Sequence, residues 1–324
     1  MKRRLALLLL ACCGPFSAAE PQAVADGVWM LPGSFEPGRQ PDGNSLLLQG
    51  ADGLLIVDTG RHIEHLQALD AWRRERGQPL RAVINTHWHL DHVGGNAALR
   101  RQVPGLRTLG SAALRDAVQQ RMLRSQQDLQ QRLADPQTDA GLRRVIAIDL
   151  ALYAEREAFV PDERIEEGPP QDRRIAGRAL RLGVDQGPTA GDVWVLDLES
   201  GVLALGDFVT LPVPFFDTAC PSAWQAALAR LEGLPFRHVV PGHGPLMSRE
   251  DLSRYRQAFD RLLACAGGSG TVDGCAAGWI ADLGPLLPEA GRRSVRPMLG
   301  YYFDSLLRAE PALRSRYCAA AAPR

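Results

Sequence analysis

The sequence predicts a mixed α/β protein, on two observations. Apolar runs of strand length alternate with segments of helical period along most of the 324 residues. The chain also carries a coarse two-fold rhythm, in which each half supplies strands, then metal-capable side chains at strand ends, then helices. A chain of this length can bury a large core, as one big domain or two smaller ones. Lys+Arg and Asp+Glu both number 37, so no bulk field draws the protein to nucleic acid or to an anionic membrane. The expected partner is a small-molecule substrate, and the oligomeric state is left open.

Residues 1–19 read as a signal peptide. Lys2-Arg3-Arg4 is a basic start, Leu5 to Cys13 is an apolar run too short to span a bilayer, and Ser17-Ala18-Ala19 offers a small-residue cleavage site before Glu20. A soluble periplasmic or secreted product follows. Leu9-Leu10-Ala11-Cys12 also resembles a bacterial lipobox, and cleavage before Cys12 would leave a lipoprotein instead. Outside the signal, Cys220, Cys265, Cys275 and Cys318 make an even number for an oxidising compartment, which allows two disulfides in three connectivities. Cys265 and Cys275 flank a Gly/Ser-rich loop and form the natural local pair, which leaves Cys220 with Cys318.

After the signal, Gly27–Leu31 and Asn44–Leu48 read as strands around a turn-rich stretch with Gly33, Pro37, Gly38, Pro41 and Gly43. Gly53–Val57 is a buried strand ending at Asp58-Thr59-Gly60, where the aspartate either caps the turn or braces something beyond it. Ile63 to Arg76 is an amphipathic helix with Ile63, Leu66, Leu69 and Trp72 as its apolar side; His62 and His65 at its start read as surface or capping residues, not ligands.

Ala82-Val83-Ile84 is a third buried strand. It stops at Asn85-Thr86 and hands over to four metal-capable side chains within six residues: His87, His89, Asp91 and His92, followed by Gly94-Gly95. On extended backbone His87 and His89 project to one side and can grip one ion, while Asp91 and His92 sit where the chain turns and can grip a second. Imidazole and carboxylate suit zinc, one ion or two, and a hydrolytic site keeps one position open for water.

Ser111 to Leu133 and Gly141 to Phe159 are helical in period, broken at Pro136, and their charges read as solvated faces; the pair forms a lid, covers the site, or packs outside. The acidic, breaker-rich stretch from Pro161 to Pro170 reads as a loop. Strands resume at Arg178–Val184, Asp192–Leu198 and Val202–Leu205, and Gly206-Asp207 follows. Phe236–Val240, with His238 as a core residue, leads into Pro241-Gly242-His243-Gly244. On their own, Asp207 and His243 are equally a turn aspartate and a loop histidine.

His87-Trp88-His89-Leu90-Asp91-His92 resembles the His-x-His-x-Asp-His signature of the metallo-β-lactamase-fold hydrolases, which include β-lactamases, glyoxalase-type thioesterases, lactonases and sulfatases. The resemblance covers about Val28 to Pro245 and implies a four-layer αββα sandwich with its site along one edge of two sheets. It implies that Asp207 bridges two ions, that His243 is the last metal ligand, and that Asp58 braces the ligands, with Thr86 and Asp192 as further supports. The residues from Ser248 to Arg324 carry no family motif and read as a helical, disulfide-bearing extension packed on a domain of residues 20–247. The pattern breaks once. The family places a metal histidine just before a Thr-x-Gly-Asp turn; here that turn is Thr189-Ala190-Gly191-Asp192 and Pro188 occupies the histidine's place. The first ion then keeps His87, His89 and Asp207, with Asp185, Gln186 or water as substitutes, or the protein works with one ion.

The resemblance thus implies a zinc-dependent hydrolase in which metal-bound hydroxide attacks an ester, thioester, lactone or amide, with Asp91 orienting the nucleophile and shuttling a proton. Leu211 to Phe216 offers an apolar substrate wall or core. The alternative is a metal-binding or relay protein of weak or no catalysis, since the chain also resembles exported, quinoprotein-associated members of the superfamily.

Overall fold

The structure is a computed structural model that describes residues 19–35, 39–311 and 315–318; the signal-peptide and lipobox readings lie outside the described residues. Its two sheets differ in how they are built. The first runs in chain order through Gln22–Ala25, Val28–Leu31, Ser45–Gly50, Gly53–Val57, Leu80–Ile84, Arg107–Ser111 and Glu163–Ile165. Its early strands are hairpin-linked and antiparallel, whereas Gly53–Val57, Leu80–Ile84, Arg107–Ser111 and Glu163–Ile165 are mutually parallel and need helical crossovers. The second has the spatial order Met247–Ser248, His238–His243, Val202–Thr210, Asp192–Asp197, Arg178–Asp185, Gln171–Ile175.

Between the sheets lies a dry layer of β-branched and leucine side chains. Val28, Leu46, Leu55, Val57 and Ile84 of the first sheet meet Leu180, Leu182, Val193, Val195, Val202 and Val240 of the second. At about 1.5–3 kcal/mol per fully buried aliphatic side chain, this layer is a principal source of stability. Because successive strand residues face opposite ways, Leu47, Leu54, Ile56 and Val83 point outward and are covered by Leu66, Leu69 and Trp72 of helix Ile63–Arg76, whereas Ile63, expected on the same side, is exposed at the helix start. The outer face of the second sheet, with Trp194, Leu196, Leu203 and Leu205, is covered by helices Pro221–Glu232, Arg249–Gly267, Val272–Leu283 and Glu289–Tyr302. The architecture is therefore the four-layer αββα sandwich, with C-terminal helices sharing the outer core of its second sheet.

Several expected boundaries shift. The stretch from Pro161 to Pro170 contains strand Glu163–Ile165 rather than being loop throughout. Strand Val202–Thr210 runs on past Asp207, because Thr210 finds a parallel partner in His243. Arg107–Ser111 and Gln171–Ile175 are further strands. The helical stretch after Ser111 is capped by that serine's hydroxyl on Leu114 N–H and contains a π-helical turn at Val118–Met122 before Leu123–Ala134, which buries none of its residues, as a solvated face should. His238 is half-buried at its strand's start rather than deep in the core. Both cysteine pairs form as expected, Cys220–Cys318 and Cys265–Cys275.

Candidate metal centre

Strand Leu80–Ile84 delivers His87 and His89 at its C-terminal end, and the short helix Leu90–Val93 carries Asp91 and His92. The parallel pairing of Val202–Thr210 with His238–His243 brings Asp207 and His243 to the same edge. All six expected ligands converge, in two groups: His87, His89 and Asp207, and Asp91, His92 and His243, with the ligand atoms of each group within 4.8 Å of one another.

Asp207 stands between them and turns one oxygen to each. Its Oδ2 lies 3.6 Å from His87 Nε2 and 3.9 Å from His89 Nδ1, and its Oδ1 lies 3.2 Å from His92 Nε2 and 3.4 Å from His243 Nε2. Asp91 Oδ2 is 3.1 Å from His243 Nε2. Metal–ligand bonds of ~2.0–2.1 Å in a tetrahedron put neighbouring ligand atoms roughly 3.3 Å apart, so these separations suit donors around an ion. Gly242 makes the approach possible, since a Cβ there would sit 2.2 Å from Asp207 Oδ1.

Hydrogen bonding fixes which imidazole nitrogens face inward. The Thr86 hydroxyl donates to Asp58 Oδ2 at 2.7 Å, so its oxygen accepts from His87 Nδ1–H at 3.0 Å and leaves the Nε2 lone pair free. Asp58 Oδ2 likewise accepts from His92 Nδ1–H at 2.8 Å, freeing that Nε2. Asp58 Oδ1 accepts from Thr86 N–H, and the aspartate sits at φ 62°, a left-handed conformation that Asp and Asn tolerate. Asp58 thus bonds His92 directly and reaches His87 through Thr86. Asp192 does neither: its Oδ2 accepts from Thr189 N–H and it bonds none of the six, while burial pushes its carboxyl up to about 8.

The electrostatics call for a cation. Asp58, Asp91 and Asp207 are all buried. Burial opposes charge on Asp207, yet His92, His243 and His87 around it hold its pKa well below the usual carboxylate range. Burial also opposes a proton on His92, but Asp207, Asp58 and Asp91 together raise it far above an ordinary histidine. Burial and the neighbouring His92 push His87 the other way. His92 Nε2, His243 Nε2 and both Asp207 oxygens are buried without a hydrogen-bond partner, a costly arrangement for polar atoms unless an ion takes their lone pairs. The donor set fits one or two divalent ions.

The Pro188 carbonyl reaches the first group through Thr218, and among the described residues no substitute side chain joins that group. Asp185 accepts from Trp194 Nε1–H and Arg230, and Gln186 Nε2 donates to the Tyr317 carbonyl, so both expected stand-ins are engaged elsewhere. His62 and His65 are not ligands, but neither are they surface residues. Both are buried: His62 Nδ1 pairs with Asp42 Oδ2 at 2.9 Å, and His65 Nε2 lies 2.8 Å from Ser45 Oγ. Arg61, between Gly60 and His62, donates to Asp149 of helix Ala140–Ala154 at 2.6 Å and approaches Asp91 Oδ1 to 3.8 Å. Through Asp149 and Tyr153 that helix covers part of the site. Asn44 ties the opposite rim down, donating to the Pro241 and Gly244 carbonyls. No sequence motif marks Arg61 or Asn44.

Two cavities open on the centre. One, of about 350 Å³, is walled by Trp88, Tyr153, Phe215 and Tyr302 and reaches His89, Asp91 and Thr218. The other, of about 660 Å³, reaches His243 and is largely apolar, with Met30, Leu211, Leu246, Leu286 and Leu287 in its walls. Within the Leu211–Phe216 stretch, Leu211, Val213 and Phe216 belong to the core, and Leu211 and Phe215 also line the two cavities.

Comparison with known proteins agrees with this geometry. The chain is 53% identical over 38 residues to a hydroxyacylglutathione hydrolase of Thermosynechococcus vestitus, a match covering 12% of this chain and 15% of that protein. The chain spans less than a quarter of the length of each such curated relative. Among solved structures it is similar to a metallo-beta-lactamase from Pontibacter korlensis, with TM-score 0.56 and 22% identity over 75% of this chain and 99% of the other. It is also similar to a beta-lactamase domain protein from Burkholderia ambifaria, with TM-score 0.55 and 21% identity over 89% of this chain and 88% of the other. These two likenesses carry the fold alone. The family model for the metallo-beta-lactamase superfamily matches residues 38–243, well over half of the chain and the whole stretch from the Asp42 loop to His243, and the chain belongs to that superfamily.

Proposed function

We propose that the protein is a zinc-dependent hydrolase of an ester, thioester, lactone or amide whose acyl part is apolar. The observation that carries this reading is the disposition of Asp207, one oxygen toward each histidine group. His87, His89 and Asp207 would hold a first ion with three protein donors. Asp91, His92 and His243, joined by the other Asp207 oxygen, would hold a second with four. A structural zinc site is closed by protein ligands, whereas a hydrolytic one keeps a position open; a first group with three protein donors favours catalysis over simple metal storage. When bound, zinc supplies a lowered pKa for a coordinated water and polarises the carbonyl under attack.

The chain's own groups do the rest. Asp91 Oδ2 is committed toward His243, but Oδ1 points toward Arg61 and the smaller cavity, where it can orient a water and accept its proton. His92, His243 and Arg61 hold that carboxyl well below the usual carboxylate range against the opposing effect of burial, so it is ionised and accepts a hydrogen bond from the water it orients. Trp88, Tyr153 and Phe215 shield the reacting atoms from bulk solvent, and the larger cavity beside His243 accepts the acyl group.

Two further points belong to the same reading. The two disulfides and the absence, among the described residues, of a helix long and apolar enough to cross a membrane are compatible with a periplasmic or secreted protein. Residues 20–247 form the hydrolase domain and 248–324 its extension, in keeping with a family match that ends at residue 243.

Metal-loaded protein should turn over at least one class in a panel of acyl esters, thioesters, lactones and β-lactams, and Asp207→Ala should abolish it together with at least one equivalent of bound metal. Turnover equal to that of Asp207→Ala on every class would refute the hydrolase.

A further inference from the structure

Thr218 lies in the turn between Phe216 and helix Pro221–Glu232, where Ala219 N–H donates to the Phe216 carbonyl. That turn is held against the segment containing Pro188, because Cys220 N–H donates to the Gly187 carbonyl at 2.9 Å. Thr218 Oγ1 is 3.0 Å from the Pro188 carbonyl oxygen and 3.1 Å from His89 Nε2.

From these contacts we infer that Thr218 is a positioning residue that fixes His89 as an Nδ1 metal ligand, with the Pro188 carbonyl as the anchor of the relay. The inference rests on the metal reading proposed above. A carbonyl oxygen can only accept, so the single hydroxyl proton of Thr218 goes to Pro188. The threonine oxygen must then accept from His89, which puts the one N–H of a metal-ligating imidazole on Nε2. Its Nδ1 lone pair is left facing inward, 2.9 Å from His87 Nε2 and 3.9 Å from Asp207 Oδ2. The same logic operates at Thr86, whose proton is committed to Asp58 and whose oxygen accepts from His87. Each histidine of the first group is thus oriented by a threonine whose proton is spoken for, one by a carboxylate and one by a peptide carbonyl. Proline cannot offer an imidazole, but it keeps the carbonyl, and the position that has no ligand side chain acts on the site through its backbone.

Partners of this kind typically contribute roughly 10- to 100-fold in metal affinity. Thr218→Val keeps the β-branched shape and removes the hydroxyl, so zinc affinity at the first group should fall by that factor while the second group is unaffected; Thr218→Ser should restore it. Equal two-ion titrations for the wild-type protein and Thr218→Val would overturn the inference. Nitrogen-15 shifts of the wild-type protein supply a readout that needs no variant: Nε2 of His89 should carry the proton, and an Nδ1–H tautomer would overturn the relay whether or not the protein hydrolyses anything. Should the wild-type first group bind no zinc at all, the metal reading fails, and the tautomer measurement still decides the relay.

Discussion

Asp58→Asn isolates the brace from the backbone. The left-handed φ of 62° at this position is one that asparagine also adopts, so the substitution should leave the turn after strand Gly53–Val57 intact. What changes is the hydrogen bonding. The carboxylate accepts three bonds, from Thr86 N–H at 2.8 Å, the Thr86 hydroxyl at 2.7 Å and His92 Nδ1–H at 2.8 Å. An amide offers one oxygen and one NH2, so the nitrogen end must confront at least one donor and cannot satisfy His92 and Thr86 together. Losing a charge-assisted brace on His92 should weaken the Asp91, His92 and His243 group by roughly 10- to 100-fold, about 1.4–2.7 kcal/mol. The first group feels the change only through Thr86 and His87, and should lose less. Zinc titration against a competing chelator, with circular dichroism to check the fold, reads both steps. A tighter or unchanged affinity at the Asp91, His92 and His243 group, with the fold intact, would refute the role given to Asp58.

Other perturbations test separate parts of the molecule. Burial pushes His65 down to about 4 from an ordinary 6.5. The unfolded chain therefore takes up the proton first, and stability that is full above about pH 6.5 is lost as pH falls toward 4, by about 3 kcal/mol in all; His65→Gln should flatten the pH dependence of the urea midpoint across that window, and a parallel pair of curves would contradict the assignment. The Cys220–Cys318 bridge closes 98 residues and Cys265–Cys275 closes 10, so chain entropy assigns them about 4–5 and about 2–3 kcal/mol; paired Cys→Ala variants in urea unfolding should keep that order. If the cavity beside His243 takes the acyl chain, each added methylene should raise kcat/KM by about fourfold, from about 0.8 kcal/mol of burial, until the cavity fills. Gly291→Leu, on the helix that walls that cavity, should then shorten the preferred chain; a flat chain-length series would assign the acyl group elsewhere.

The parts of the centre that were legible in the sequence are those encoded by neighbours in the chain. His87, His89, Asp91 and His92 fall within six residues of a strand end, so local backbone geometry alone aims them together. Asp207 and His243 are visible only through family resemblance, because what unites them is the parallel pairing of two strands separated by a helix. The misread histidines have the same cause: His62 and His65 look exposed on a helical wheel, and become buried because Asp42 and Ser45, some twenty residues earlier, supply their partners. Edge strands escaped for a different reason. Gln171–Ile175 offers no apolar run, because every second residue faces solvent, yet its backbone pairs with Arg178–Asp185. Arg61, Asn44 and Thr218 carry no local signature, since each works by reaching a distant backbone or carboxylate group.

The departure at Pro188 now acquires a physical consequence. A first group with three donors beside a second with four makes the two positions unequal in both affinity and openness. An ion held by four protein atoms would be the tighter and the less reactive. An ion held by three would be the more exchangeable; the aromatic cavity reaches the first group through His89 and the second through Asp91. Weakening that first position further, by releasing His89 from Thr218, should therefore lower activity before it lowers the tightly bound metal content. Loss of Asp58 should work in the opposite order, reaching the saturated group first. Two supports on one bridged centre thus lead to opposite sequences of loss, and the order in which zinc and turnover disappear identifies which ion faces the substrate.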